Sequence, residues 1–120
     1  MQKGSRIGKD AFARVSKEGK RLFGRSLTLV VSPAEGAAYA AVVSKKVAKT
    51  AVKRNLLRRR IFAILRAFTK ESGTRGSFIV YAKKESAAQT FAELRDELSA
   101  LLHAAPPSLR SGDASGRIVR

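Results

Sequence analysis

Residues 50–69, TAVKRNLLRRRIFAILRAFT, constrain the fold more than any other stretch of this chain. At about 100° per residue, Leu57, Ile61, Ile64 and Phe68 fall within about 60° of one another, with Leu65 beside them. That spacing gathers on one side only in an α-helix, and the resulting stripe has to be buried against other elements. The opposite side carries Asn55, Arg59, Arg66 and Lys70, flanked by Arg54 and Arg58, so one helix has an apolar inner face and a basic outer one. Gly73 and Gly76 close it.

Shorter patterns flank this helix. Asp10 is a candidate N-cap for about two helical turns bearing Ala11, Phe12 and Val15, ended by Gly19. After Leu22-Phe23, Ser26–Val31 is a β-type run stopped by Ser32-Pro33. Ala37–Ser44 reads as a second strand, antiparallel to the first because the connection is short. Beyond the basic helix, Phe78–Ala82 is apolar at nearly every position, which suits a strand buried on both faces. Thr90 and Glu93 form a capping box, with Ser86 and Gln89 as a rival start one turn earlier. Phe91, Leu94, Leu98, Leu101 and Leu102 then make one apolar stripe on a last helix. The remainder, APPSLRSGDASGRIVR, lacks any pattern. We read residues 1–104 as one α+β domain and residues 105–120 as a disordered basic tail. The order is α-β-β-α-β-α, a sandwich with helices packed on a small mixed sheet.

Charge then narrows the function. From Lys45 to Lys70 there are ten lysines and arginines and no acid, and the acid-free interval extends back to Gly36. Like charges one turn apart cost a helix a few tenths of a kcal/mol per pair. An external polyanion relieves that repulsion, and nucleic acid does so with a gain from counterion release. The whole chain agrees, with 25 basic against 9 acidic residues and a net charge of +16. Arg59 and Arg66 stand about 10 Å apart along one face, a spacing suited to successive phosphates. Phe62 points roughly to that same face, where it either stacks on a base or is covered by the sheet or a loop. The absence of cysteine excludes disulfides, Cys-ligated zinc and thiol chemistry. The N-terminus MQKGSRIGKD has no apolar core and no apolar run approaches membrane-spanning length, so a cytoplasmic location is expected, without a membrane partner.

Catalytic constellations are nearly absent. The one histidine, His103, ends the last helix, and Glu93, Asp96 and Glu97 lie near Arg95 on what reads as its solvated side. Gly4, Gly8, Gly19 and Gly24 match no phosphate-binding fingerprint. We therefore expect no catalytic side chain, no metal held by the protein and no small-molecule substrate.

The segment Ser44-Lys45-Lys46-Val47, followed by Ala51-Val52-Lys53-Arg54-Asn55-Leu56-Leu57-Arg58-Arg59, resembles the signature of the bacterial ribonuclease P protein component. There a strand ending in S-K-K leads into a helix bearing A-V-x-R-N-R-x-K-R. The likeness runs from about Arg6 to Leu102, through Phe12, Val15, Gly19, the strand Leu27–Val31 and the strand Gly76–Ala82. It departs at Leu56, where the family usually has arginine, at Phe62-Ala63 in place of an R-E pair, and at Ala48 in place of glycine. The resemblance implies the sandwich of ribosomal protein S5 domain 2. It also implies a role in removing the 5′ leader of precursor tRNA, with the chemistry done by a catalytic RNA and Mg²⁺. On that reading Lys45, Lys46, Lys49, Lys53, Arg54, Asn55, Arg58, Arg59, Arg60 and Arg66 meet the ribonuclease P RNA. Phe12, with Lys9 and Arg14, meets the leader, although a core position for Phe12 between helix and sheet is the bland alternative. Leu27 and Leu29 are expected in the core, with Thr28 and Val30 toward the leader's cleft.

The competing functional reading is a structural protein or assembly factor on ribosomal RNA. A DNA-binding module ranks lower, because a recognition helix is usually presented by a second helix through a tight turn rather than flanked by strands. Membrane-surface binding ranks last, because the apolar face of the basic helix is needed by the core.

Overall fold

The run FIVYA lies where an all-apolar strand has to lie, in the middle of a sheet. The computed structural model describes residues 5–34, 36–73 and 75–104. In chain order the elements are β1 (Ser5–Arg6), α1 (Lys9–Glu18), β2 (Lys20–Phe23), β3 (Leu27–Ser32), β4 (Ala37–Val42), α2 (Ala51–Ser72), β5 (Gly76–Ala82), a 3-10 helix (Lys84–Ala88) and α3 (Phe91–His103). The five strands form one mixed sheet in the order β1-β4-β5-β3-β2. β5 runs parallel to β4 and antiparallel to β3. The α+β reading holds, while the expected tail from Ala105 lies outside the described residues.

Two strands were not expected. β2 (KRLF) is exposed except at half-buried Leu22, so it shows no apolar alternation; its cations suit an edge strand, where charge discourages pairing with other chains. β1 is two residues long and pairs parallel to β4. The connection between β3 and β4 also needs correction. They do run antiparallel, but β5 enters between them. Phe78 and Val80 join the core on one face while Ile79 is buried on the other, so the centre is the position that shields both. Alanine-rich β4 has less apolar surface to hide and lies farther out.

The two faces are covered unequally. On one, α2 and α3 bury Leu57, Ile61, Ile64, Leu65, Leu94, Leu98, Leu101 and Leu102 against Leu27, Leu29, Val31, Tyr39, Phe78 and Val80. On the other, α1 alone sets Val15 against Val30 and Ile79. α2 starts at Thr50, whose side chain accepts the Lys53 N–H, and ends at Gly73, whose left-handed backbone (φ 70°) favours glycine. Within the core the Tyr39 and Thr69 hydroxyls share a buried hydrogen bond of 2.6 Å. Phe62 meets the Tyr39 ring edge-on at 6.2 Å and packs on the core, so cover by the sheet, not the open basic face, accounts for it.

Several local expectations change. Asp10 is not the cap of α1: the helix starts from Gly8, whose carbonyl accepts the Phe12 N–H, and Asp10 lies in the first turn near the positive helix end. Gly76 belongs to β5 rather than to the end of α2. The expected capping box starts α3 at Thr90, and the rival start one turn earlier is the separate 3-10 helix. Phe91, expected on the buried stripe, is 40% exposed at the first position of α3 and lines an open groove with Phe68 and Arg95.

Glu97 is the largest departure from the solvated-surface reading. Its carboxylate accepts the backbone N–H groups of Ser26 (2.7 Å) and Leu27 (2.9 Å) and the Ser26 hydroxyl (2.6 Å). Lys83 ties the same turn from the other side, its Nζ donating to the Gly24 carbonyl and its N–H to that of Ser26. The β2–β3 turn is thus clamped between α3 and the end of β5. Burial pushes the Glu97 carboxyl up, but the bonds from Ser26, Leu27 and Gln89 outweigh it and hold the carboxyl below its usual range. A carboxyl lowered in the folded state stabilises above its unfolded pKa and loses that contribution as pH falls through the lowered value. Glu97→Gln is therefore expected to cost about 1 kcal/mol at neutral pH, roughly 5 °C in Tm, and the gap to the parent to narrow in acid. Thermal unfolding at neutral and acidic pH checks this; a gap that widens in acid would contradict it. A methyl group at Gly24 would stand 2.5 Å from Glu97 Oε2 and 2.9 Å from the Leu27 carbonyl oxygen. Gly24→Ala is expected to destabilise by about 1–3 kcal/mol, measured by denaturant unfolding.

Candidate nucleic-acid interface

The basic surface is built from α2 and the turn that leads into it. After β4, the N–H groups of Val47 and Ala48 return to the Ser44 carbonyl. Buried Ala48 and half-buried Val47 fasten this turn, leaving Lys45, Lys46 and Lys49 exposed. Arg54 is half-buried and donates to the carbonyls of Ala48 (3.1 Å) and Lys49 (3.0 Å), so it locks the lysine turn to the helix as well as adding charge. Arg58 is half-buried and donates to the Asn55 side-chain carbonyl. Lys53, Asn55, Arg59 and Arg66 are exposed, and Arg60 is half-buried at the edge of a groove.

The electrostatics of this surface are one-sided. The first turn of α2 has no acid, although a helix N-terminus favours negative charge. Among the described residues, the one ion pair joins Arg95 to Asp96 on α3 (3.5 Å), and none involves a cation of α2. The positive potential of α2 is therefore left to solvent.

A second surface lies on the α1 side of the sheet. Lys9 and Arg14 are exposed there. Phe12 is half-buried and packs on the cluster of Val15, Val30 and Ile79, which favours the core reading for much of its ring. Thr28 is buried at 7% exposure, and Val30 is wholly buried. Farther along the sheet, cross-strand pairing sets Phe23 beside Thr28, and Thr28 beside Tyr81. Phe23 is 72% exposed. The Arg21 guanidinium stands 6.0 Å from the centroid of the Tyr81 ring and donates to the Ser16 carbonyl. The Tyr81 hydroxyl bonds that of Ser16 at 3.0 Å. Phe23, Arg21 and Tyr81 were not singled out from the sequence, because their common face becomes visible only when β2 is paired with β3 and β3 with β5. The register of the β2–β3 hairpin is the signal that would have found Arg21 and Phe23, whereas Tyr81 joins them through the long-range β3–β5 pairing.

No helix among the described residues is long and apolar enough to cross a membrane. His103 ends α3, with its Nδ1 2.8 Å from the Ser99 carbonyl and its ring edge-on to Phe68.

A search of curated protein sequences found no match. Among solved structures, the ribonuclease P protein of Staphylococcus aureus is similar with a TM-score of 0.74 at 20% identity, over 86% of this chain and 95% of its own. The ribonuclease P protein of Thermotoga maritima is similar with a TM-score of 0.75 at 22% identity, over 84% of this chain and 97% of its own. A mutant of the S. aureus protein with defective mRNA degradation activity gives a TM-score of 0.72 at 25% identity, over 82% of this chain and 86% of its own. These likenesses are of fold. The family model described as ribonuclease P matches residues 1–106, and the chain belongs to that family.

Proposed function

We propose that this chain is the protein subunit of ribonuclease P, binding the catalytic RNA with α2 and its preceding turn, and the 5′ leader of precursor tRNA with the α1 side of the sheet. The observation that carries this reading is the α2 surface: a cationic face anchored by a buried stripe on the same helix, with no acid paired to it among the described residues. Lys45, Lys46, Lys49, Lys53, Arg59 and Arg66 would lie against RNA phosphates and release counterions. Arg54 would act on the same surface partly by holding the lysine turn in place. Asn55, Arg58 and Arg60 complete that face.

On α1, exposed Lys9 supplies charge one turn before half-buried Phe12, while exposed Arg14 projects from the other side of the helix. Phe23 offers the most exposed aromatic surface there, and base stacking on such a ring tolerates any sequence, as a processing subunit with many leaders requires. The protein's part is to neutralise repulsion between two RNAs and to fix the strand to be cut. The chemistry would belong to the RNA with Mg²⁺. Among the described residues no three His, Cys, Asp or Glu side chains gather where they could hold a metal ion. Work on precursor tRNA also implies a cytoplasmic location.

Two outcomes test this reading. Binding to a bacterial ribonuclease P RNA is expected to weaken steeply with salt, and Arg59→Ala to reduce the slope of log K against log salt by roughly one. A slope near zero for the parent would contradict it. In the reconstituted holoenzyme, Phe23→Ala is expected to reduce the preference for 5′-extended over mature tRNA by about 5–10-fold, without changing affinity for the RNA subunit. Equal loss for both tRNAs would place Phe23 outside the leader path.

A further inference from the structure

The first turns of α2 carry a feature that phosphate binding does not need. Val52 is 78% exposed and Leu56, one turn on, is 44% exposed. Scattered apolar residues on a surface are ordinary, but Leu56 lines a groove between α2, the lysine turn and the 3-10 helix. Buried Leu57 lies in the same groove, and Lys49, Lys53 and Arg60 line it too. None of its described lining residues is acidic. Lys53 and Arg60 bracket Leu56-Leu57, each about 5 Å away along the helix axis.

A ligand that fits such a lining has a mostly apolar body and negative charge on both sides. A nucleobase turned out of its stack, with a phosphate before and after it, has that form. An acidic peptide carries the charge but spends the apolar surface poorly. We propose that this groove takes an unpaired nucleobase of the bound RNA, seated against Leu56 and Leu57 with its flanking phosphates on Lys53 and Arg60. The proposal rests on the RNA-binding reading and deepens it. The rest of α2 senses phosphate and is indifferent to pairing, whereas this groove admits a base only where the RNA is unpaired, so it selects bulges and loops over continuous helix. An arginine at position 56 would extend the charge instead; Leu56 exchanges one phosphate contact for an apolar wall.

The test uses the full chain and a short RNA duplex with one bulged uridine, beside the same duplex with an abasic bulge that keeps every phosphate. The intact protein is expected to bind the uridine bulge about tenfold more tightly than the abasic one. Leu56→Ala is expected to erase most of that ratio while leaving the salt dependence unchanged, since no phosphate contact is lost. Leu56 is exposed enough for the variant to fold, and thermal unfolding verifies it. Equal affinity for the two bulges, with steep salt dependence, overturns the groove proposal and leaves the RNA-binding reading standing. Failure to bind either RNA overturns that reading itself. A polyglutamate peptide that binds the parent and is lost in Leu56→Ala overturns the proposal in favour of an acidic protein partner.

Discussion

The basic face of α2 exists because the opposite face of the same helix is held in the core. Arg54–Arg58 and Arg66–Lys70 are like-charge pairs one turn apart, each costing a few tenths of a kcal/mol, and the first turn has no acid to meet the helix dipole. Against this, Leu57, Ile61, Ile64 and Leu65 are each at most 5% exposed, and burying such a side chain contributes about 1.5–3 kcal/mol. Packing exceeds repulsion severalfold. The helix can therefore carry a run of cations along one face without the acids that an isolated helix would need.

The same economy shapes the sheet. β5 occupies the centre because it is apolar on both faces, and this puts α2 and α3 on one side and α1 on the other. One helix cannot cover five strands, so the α1 side keeps Phe23 exposed and the Arg21–Tyr81 pair beside it. The clamp of Glu97 on Ser26 and Leu27 fixes the turn from which β2 hangs, and so the place of Phe23 on the sheet edge. An acidic residue on α3, on the far side of the sheet from α1, thereby supports the surface proposed to meet a nucleic acid.

What the sequence disclosed follows from the range of the forces involved. α2 was legible because its 22 residues repeat one local pattern many times, and the start of α3 because Thr90 and Glu93 complete their capping box within four residues. The insertion of β5 between β3 and β4 was not, because strand order is decided by which strand most needs cover and not by connection length. Glu97 read as solvated because the N–H groups it accepts lie 70 and 71 residues away in the chain. Phe62 looked outward on a helical wheel, yet Tyr39 reaches it from β4. Among the candidate site residues, Arg59 is exposed as its helical spacing implied, while Arg54 also bonds the backbone and Phe12 is partly drawn into the second core.

The role proposed for this chain is to serve a catalytic RNA by neutralising and positioning it. It is tested most directly by mixing this chain with a bacterial ribonuclease P RNA and following cleavage of a 5′-extended precursor tRNA at low Mg²⁺. Efficient release of the leader, where the RNA alone is slow, is the expected result. Tight binding of the RNA with no gain in cleavage would contradict it and leave a structural role on another RNA as the better reading.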